Sequence, residues 1–236
     1  MNTACIEERI GSLYRTSLKL DDNFDVGKIF DCGQCFRFDK VENSIHETEY
    51  SGVAFGRVVS FGQDGDTLYV YNSTEEDFEN IWRPFLGLDM SYGAVDEYLL
   101  ARTDSLPFAE AVRYGRGIRI LSQDPFEAII SFIISQNNNI PRIKQIIERL
   151  SRLCGEPIEI PEEMEAHLSG MSYLCPFPTA EALRGLGVDG LFAAKTGFRA
   201  KYIYDATERI LSGEIDVQRL SELESIFDTN SLNFLI

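Results

Sequence analysis

The segment DPFEAIISFIIS, residues 124–135, carries the clearest helix signal in the chain. Asp124 can cap this helix, Pro125 suits its first position, and Glu127 completes a capping box. Its apolar residues recur at the spacing of one helix face: Phe126, Ile129, Ile130, Ile133 and Ile134. The pattern predicts a packed helix and a helical second half of the chain.

A second helix is predicted directly afterwards, in IPRIKQIIERLSRLC, residues 140–154. Asn139 is its expected N-cap, Pro141 lies in its first turn, and Gly155 stops it. One face is apolar through Ile143, Ile146, Ile147 and Leu150. The two helices are therefore joined by a short turn of three consecutive asparagines, beginning at Asn137.

Three asparagines offer more hydrogen-bonding groups than one helix cap requires. Asparagine is common in turns because its amide satisfies nearby backbone groups, so the run can be purely structural. Alternatively, Asn137 and Asn138 keep free amides beside Arg142 and contact DNA with them. Amide and guanidinium groups are the types that read base edges. The basic residues of the second helix are likewise either a solvated face or a DNA-binding one: Arg142, Lys144, Arg149 and Arg152.

Earlier segments predict an antiparallel sheet. YSGVAFGRVVSF, residues 50–61, and TLYVYN, residues 67–72, are rich in strand-forming residues, and GQDGDT between them contains an Asp-Gly hairpin signal. KIFDCGQCFRF, residues 28–38, is interpreted as a strand that enters and leaves a turn at Gly33. The first part of the chain is therefore expected to be mainly β structure.

Further helices are expected around these segments. Ser73 and Glu76 form a capping box ahead of an apolar stripe, and residues 92–101 form another helix. Thr179 caps a short helix through Leu183. A later helix runs through AKYIYDATERILSG, residues 200–213. The fold class is α+β: an N-terminal antiparallel β-sheet domain with helices (1–115), then an incomplete all-α domain (116–236), with a joint in RYGRGIRILSQ.

Composition excludes several classes of protein. In 236 residues, 44% are hydrophobic and 25% charged, which is ordinary globular usage rather than disorder. No signal peptide or membrane span is visible, and five scattered cysteines fit a reducing compartment. The formal charge of −16 predicts repulsion from nucleic acid, although the acid is concentrated in the first third of the chain.

Three motifs together resemble a known family. GQCFRF (residues 33–38), QDPFEAIISFIISQNNNIPRI (123–143) and TGFRAKYI (196–203) are similar, in order and spacing, to signatures of the 8-oxoguanine DNA glycosylases of the helix-hairpin-helix superfamily. The middle match is long and highly specific. The resemblance extends to about Leu223. It implies a base-excision repair DNA glycosylase with DNA-(apurinic or apyrimidinic site) lyase activity that flips 8-oxoguanine out opposite cytosine.

The resemblance also assigns roles to five residues. Asn137 would fill the gap left by the flipped base, and Arg142 and Arg199 would donate hydrogen bonds to the unpaired cytosine, which offers acceptors. Phe198, where the family more often has Tyr, would be the wedge. The carbonyl of Gly33 would accept a hydrogen bond from N7 of 8-oxoguanine, because oxidation turns that acceptor into a donor.

The family's catalytic lysine and aspartate lie in a glycine hairpin that is expected after residue 215. Here the chain reads IDVQRLSELESIFDTNSLNFLI instead, without a lysine. Lys195 lies upstream in a poor imitation of the hairpin and is not assigned as the nucleophile. We therefore expect no catalytic residue in these 236 residues, no covalent chemistry, and aggregation or a complementing fragment as a consequence of the lost packing partners.

Three other interpretations of the sequence are considered in turn. CGQC, with Cys32 and Cys35, suits a dithiol or zinc site, but no second pair or histidine spacing completes it, so no metal or cofactor is expected. An alkylated-base glycosylase would not be expected to carry the asparagine run. A noncatalytic remnant that binds damaged DNA stays open. The expected partner is double-stranded DNA containing 8-oxoguanine, bound by a monomer without membrane contact, in the cytoplasm and nucleoid of a prokaryote or the nucleus of a eukaryote.

Overall fold

The computed structural model describes residues 5–20, 22–168 and 174–219. The chain divides into two compact units. The first comprises residues 1–52, 58–122 and 159–172, and the second comprises residues 53–57, 123–158 and 173–236. Within the described residues, no helix combines the length and the apolar character needed to cross a bilayer. The predicted domain limits at residues 115 and 116 stay a prediction.

A six-stranded sheet organises the first unit. In spatial order its strands are β1, β2, β6, β5, β4 and β3. Their bounds are Ile6–Ile10 for β1, Leu13–Lys19 for β2, Phe38–Lys40 for β3, Thr48–Ala54 for β4, Arg57–Asp64 for β5 and Thr67–Tyr71 for β6. Neighbouring strands pair antiparallel, with Ile10 opposite Leu13 and Asp64 opposite Thr67. The predicted sheet is confirmed, and it is larger than the sequence indicated because β1 and β2 were not recognised.

Tight turns with positive φ connect the strands. Gly65, with φ of 54°, turns β5 into β6, as the Asp-Gly signal predicted. The strand-forming run 50–61 belongs to two strands, β4 and β5, because Phe55 and Gly56, with φ of 51° and 69°, form a turn between them. Two successive residues with positive φ match a hairpin turn that follows the natural strand twist.

An aromatic cluster fills one side of the first unit. The Phe61 ring lies 5.4 Å from the Phe30 ring, 5.6 Å from the Trp82 ring and 6.1 Å from the Phe85 ring. All four side chains are buried. Offset and edge-to-face ring packing of this kind stabilises a core beyond the burial of its area. The cluster joins the sheet to the helices that flank it in sequence.

A polar network is also buried in the first unit. The carboxylate of Glu49, 1% exposed, accepts hydrogen bonds from Ser60 Oγ at 2.6 Å and Ser44 Oγ, and its Oε1 lies 2.7 Å from His167 Nδ1. The His167 ring stacks on the Tyr71 ring at 3.6 Å. These contacts fasten the segment that carries the 3₁₀ helix Glu162–His167 to the sheet.

Besides the 3₁₀ helix, the described residues of the first unit form five α-helices and one π-helical turn. α1 begins after Asp25, whose side chain accepts a hydrogen bond from Lys28 N. α2 and α3 flank the π-helical turn. The bounds are α1 Val26–Asp31, α2 Glu75–Asp77, the π turn Phe78–Trp82, α3 Arg83–Phe85, α4 Tyr92–Ala101 and α5 Leu106–Gly115. The helix predicted at 92–101 is confirmed.

Two local predictions in the first unit are wrong. The first half of the segment 28–38 is helical rather than a strand, and only Phe38–Lys40 joins the sheet. Buried Ile29 and Phe30 favour the helix because they pack its inner face. The capping box lies one residue later than predicted, since Thr74 and Asp77 exchange the reciprocal bonds.

The second unit is helical. Its helices are α6 Pro125–Ser135, α7 Ile140–Cys154, α8 Ala180–Leu191 and α9 Ala200–Leu211, with a π-helical turn Phe192–Thr196 and a 3₁₀ turn Gly197–Arg199 between the last two. The predicted caps Asp124, Asn139 and Thr179 each accept a backbone N–H at their helix. Ile130, Ile134, Ile146 and Leu150 are fully buried, as their spacing predicted.

α8 is longer than the sequence indicated. It continues past Leu183 to Leu191 and kinks at Gly187, whose φ of 62° and ψ of 178° are not helical. The α+β class is confirmed by the sheet and the helices together. The segment from residue 220 onward, on which the expected loss of the catalytic hairpin rests, lies outside the described residues.

Candidate nucleic-acid interface

The asparagine turn uses two of its three amides for its own structure. Asn139 Oδ1 accepts from Arg142 N at 3.0 Å and caps α7. Asn138 Nδ2 donates to Ile134 O at 3.0 Å, and its Oδ1 accepts from Asn139 N at 3.0 Å. The interpretation that Asn138 keeps a free amide is therefore wrong, because the carbonyls that end α6 need donors.

Asn137 differs from its two neighbours. It is exposed, and its φ of 50° lies in the left-handed region that few side chains other than Asn and Gly adopt easily. The left-handed residue reverses the chain between α6 and α7. Asn137 is therefore the asparagine whose side chain is left to act outside the turn.

Arg199 reaches this turn from the start of α9. Its Nε donates to Gln136 O at 3.0 Å, its Nη2 donates to Gln136 O and to Asn137 O, the latter at 2.9 Å, and its Nη1 lies 3.4 Å from Thr196 O. Arg199 is only 3% exposed. The guanidinium thus donates hydrogen bonds to two carbonyls just after the end of α6, Gln136 O and Asn137 O. A cation at a helix C-terminus also complements the helix dipole.

The positive charges of Arg142 and Arg199 interact at this corner. Burial, and then the positive charge of Arg142, lower the pKa of the Arg199 guanidinium. It stays protonated at neutral pH because arginine does not lose its proton in proteins. Arg142 itself is exposed. Like charges held together in this way favour an anionic or acceptor-rich ligand.

Phe198 projects beside this pair. It is 61% exposed, and the Arg199 Cζ lies 4.4 Å from its ring centroid. On the other side the Tyr202 ring, also exposed, meets it edge to face at 6.4 Å. An exposed aromatic ring held by a cation and a second ring is suited to stack on a base.

Lys195 occupies the turn that precedes Phe198. It is exposed and has φ of 69°. It lies within the π-helical turn rather than in a glycine hairpin. That Lys195 is not the nucleophile stays a prediction of the sequence analysis.

Gly33 lies in the first unit on a separate loop. Its φ of 81° requires glycine, and the loop is secured by Gln34 next to it. Gln34 Nε2 donates to Ile29 O at 3.1 Å and to Arg119 O at 2.8 Å, while its Oε1 accepts from Leu121 N at 2.9 Å. One amide therefore ties the Gly33 loop to the preceding helix α1 and to one distant segment, Arg119 to Leu121.

The neighbouring cysteines do not form the pattern of a redox pair. Cys32 is the C-cap of α1 and is exposed, whereas Cys35 is buried, and both are free thiols. Redox pairs of this spacing begin a helix, where the dipole lowers the thiol pKa. No group of three metal-ligating side chains occurs among the described residues.

Comparisons with known proteins agree with this arrangement. The model of the family "8-oxoguanine DNA glycosylase, N-terminal domain" matches residues 17–129. The structure of the Clostridium acetobutylicum 8-oxoguanine glycosylase/lyase without DNA is 35% identical, with a TM-score of 0.79 over 93% of this chain and 70% of that one. This chain belongs to the 8-oxoguanine DNA glycosylase family.

Other members of the family extend the comparison. The same Clostridium protein, in complex with double-stranded DNA containing cytosine opposite 8-oxoG, is 35% identical with a TM-score of 0.79 and covers 93% of this chain and 69% of that one. The N-glycosylase/DNA lyase OGG1 of Arabidopsis thaliana is 31% identical over 179 residues, which are 74% of this chain and 45% of the relative. The chain thus spans less than half the length of this curated relative.

Sequence reasoning missed two residues of the family motifs. Gln34 follows Gly33 directly, but a glutamine next to a glycine carries no periodic signal. Tyr202 lies four residues after Phe198, which is one helical turn, so their contact was detectable from the spacing of two aromatic residues. Both residues act on neighbours that the sequence analysis did select.

Proposed function

We propose that this chain recognises 8-oxoguanine opposite cytosine in double-stranded DNA, as part of a DNA N-glycosylase and apurinic-site lyase of base-excision repair. The observation that carries the proposal is the contact of Arg199 with the carbonyls of Gln136 and Asn137. It joins two of the three family motifs at one corner. Exposed Phe198 and the charge of Arg142 complete that corner.

The chemistry of this corner suits a duplex from which one base has been removed. Flipping a base costs a few kcal/mol of stacking and pairing, and the gap must be filled. The Asn137 side chain is short and polar enough to enter the gap, and Phe198 can wedge into the stack. The donors of Arg142 and Arg199 match the acceptors of an unpaired cytosine.

Discrimination of the damaged base is assigned to the Gly33 carbonyl. 8-Oxoguanine presents a donor at N7, whereas guanine presents an acceptor that would face the carbonyl lone pairs. A lost hydrogen bond in a buried site costs about 1–3 kcal/mol, so this contact gives roughly tenfold to hundredfold selection. The close approach of a base to the backbone is easiest at glycine.

Binding of labelled duplexes by the 236-residue protein tests the proposal. We expect a duplex with 8-oxoguanine opposite cytosine to bind about tenfold or more tightly than the matched guanine duplex. Arg142→Ala should reduce the preference for cytosine over adenine opposite the lesion. Arg152→Ala is the control, because that arginine lies on the same helix but pairs with Glu148. Equal affinity for damaged and undamaged DNA would refute the proposal.

Borohydride trapping on the same duplex separates recognition from chemistry. A glycosylase of this class forms a Schiff base between lysine and the sugar, which borohydride reduces to a stable adduct. We expect the 236-residue protein to bind without a trapped adduct. An adduct that still forms with Lys195→Ala would show that another lysine of this chain is the nucleophile. That result would not contradict the proposed recognition of the lesion.

A further inference from the structure

The contacts of Arg199 in the DNA-free protein bear on more than cytosine recognition. Its guanidinium has five N–H groups in a planar fork. Those of Nε and Nη2 are directed at Gln136 O and Asn137 O, and Nη1 has a longer contact with Thr196 O. Most of its donors are therefore engaged within the protein before any ligand arrives.

The turn that Arg199 brackets needs such support. Asn137 is held at φ of 50°, a left-handed conformation that Asn adopts more easily than most residues with a side chain but that still lies outside the usual backbone regions. Gln136 and Asn137 lie past the end of α6, where carbonyls have no partner within the helix. Asn138 satisfies only Ile134 O on the same turn. Arg199 supplies donors to the next two carbonyls that have contacts here, Gln136 O and Asn137 O.

We propose that Arg199 is a positioning residue that sets the asparagine turn before DNA binds, so that Asn137 and Arg142 are already placed for the duplex. A fork that donates to two successive carbonyls fixes their orientation, which a point charge cannot do. The consequence for DNA rests on the function proposed above, whereas the effect on the turn does not.

Arg199 and Arg142 therefore have different roles in binding. While Arg199 keeps its carbonyl contacts, it has at most one N–H for the unpaired base, although cytosine offers two adjacent acceptors. Arg142 is exposed and supplies the other donors. The preference for cytosine therefore depends mainly on Arg142, and Arg199 supports binding whatever the opposite base is.

Hydrogen exchange of the DNA-free protein, measured by mass spectrometry, tests the positioning role. Arg199→Lys keeps the charge but loses the fork. We expect at least tenfold faster exchange of the amides of residues 136–140, with residues 144–154 unchanged. The matched control is Arg142→Lys, an identical substitution in the same corner, which should leave exchange in the turn as in the wild type.

Duplex binding provides the second measurement. Arg199→Lys should weaken binding by about the same factor, roughly tenfold, for cytosine and adenine opposite 8-oxoguanine. Unchanged exchange in the turn together with a selective loss of the cytosine preference would overturn the inference. If the wild type shows no preference for the lesion, the proposed function fails and the exchange result alone decides on the positioning role. If Arg199→Lys also speeds hydrogen exchange of residues 144–154, the substitution disturbs α7 as well as the turn. Arg199→Gln, which retains one amide donor, is then tested for the same two quantities: exchange in the turn and the preference for cytosine.

Discussion

Asn137 combines a left-handed backbone conformation with an exposed side chain. Substitutions at this residue can therefore change protein stability and DNA binding independently. Glycine adopts φ of 50° without the steric cost that alanine incurs, about 1 kcal/mol. We predict that Asn137→Gly melts close to the wild type, whereas Asn137→Ala loses about 1 kcal/mol of unfolding free energy. Both should lose affinity for the 8-oxoguanine duplex, because neither fills the gap.

Denaturant unfolding and duplex titration of these two variants check this prediction. An Asn137→Gly protein that binds the lesion as tightly as the wild type would show that the amide does not enter the duplex. Asn138 offers an instructive contrast, since its amide is used by Ile134 O and Asn139 N. Asn138→Ala should therefore lower the unfolding free energy. It should weaken duplex binding only as far as it disturbs the turn.

Gln34 acts on Gly33 through the backbone rather than by touching a ligand. Its amide group donates to two carbonyls and accepts from Leu121 N. Gln34→Glu would direct a carboxylate at the carbonyls of Ile29 and Arg119 and should cost about 1–3 kcal/mol of unfolding free energy. We expect the ratio of affinities for 8-oxoguanine and guanine duplexes to fall at the same time.

The affinity ratio distinguishes a positioning role of Gln34 from a purely structural one. A variant that is destabilised but keeps the full preference for the damaged base would show that the Gly33 loop does not depend on this amide. Gln63→Glu is a suitable control, because Gln63 bonds to Phe24 O, Gly65 O and Val26 N elsewhere in the same unit. It should lower stability without changing the ratio.

At the scale of the elements, the caps explain why α6 and α7 end and begin where they do. Asp124 and Asn139 each satisfy a backbone N–H of the first turn, and Arg199 and Asn138 satisfy carbonyls at the exit of α6. Both ends of the turn are thus closed by side chains, so the asparagine turn is a defined corner rather than a loose loop.

The N-cap of α7 gives a prediction at this scale. Asn139→Asp keeps a good cap and complements the helix dipole, so stability should stay within about 0.5 kcal/mol of the wild type. The same change adds a negative charge beside the proposed DNA surface and should weaken duplex binding several-fold at low salt. Asn139→Ala should instead cost about 1 kcal/mol of stability.

Thermal melts and binding at two salt concentrations separate these effects. If Asn139→Asp binds DNA as tightly as the wild type at low salt, the start of α7 does not face the phosphates.

The length of α8 shows a limit of predicting helix ends from the sequence. Gly187 has φ of 62° inside the helix, and the kink it permits could not be distinguished from a helix end in the sequence.

Across the whole molecule, charge is unevenly distributed. Residues 123–158 and 174–219, the helical segments of the second unit, contain equal numbers of basic and acidic residues. The formal charge of −16 therefore belongs to the rest of the chain. The overall balance, which argues against nucleic acid, does not describe the segments that carry Asn137, Arg142 and Phe198.

Glu49 links the stability of the whole fold to pH. Burial by itself raises the pKa of this carboxyl, but hydrogen bonds from His167, Ser44 and Ser60 outweigh it, so the pKa is lowered. A carboxyl whose pKa is lower in the folded state stabilises the protein above its unfolded pKa of about 4.3 and loses that contribution as pH falls through the folded value.

Replacing Glu49 should therefore remove part of the acid dependence. We predict that Glu49→Gln loses about 3 kcal/mol at neutral pH, because buried partners are left unpaired, and that its stability falls less steeply below about pH 4. Urea unfolding between pH 3 and about 7 measures both quantities. Glu42→Gln, at an exposed position, should leave the curve unchanged. An unaltered acid slope in Glu49→Gln would contradict the prediction.

The sequence by itself determined the helices of the second unit, their caps and the family motifs. Helical spacing, caps and asparagine turns act over a few residues, so Asp124, Asn139 and the buried isoleucines could be assigned from the pattern. The sequence could not determine the helix at residues 26–31 or the contacts of Gln34, because those depend on which distant groups pack nearby. It also left open the use of Asn138, whose contacts with Ile134 O and Asn139 N are local but compete with outward-facing ones.

Only the tertiary structure decided what Arg199 does. Its partner Gln136 O lies 63 residues earlier in the chain, and no local pattern encodes that distance. The contact exists because α9 starts where α6 ends, and a nearly buried guanidinium must find acceptors. Local spacing fixed which residues the corner contains, and packing fixed which of them hold the turn and which stay exposed.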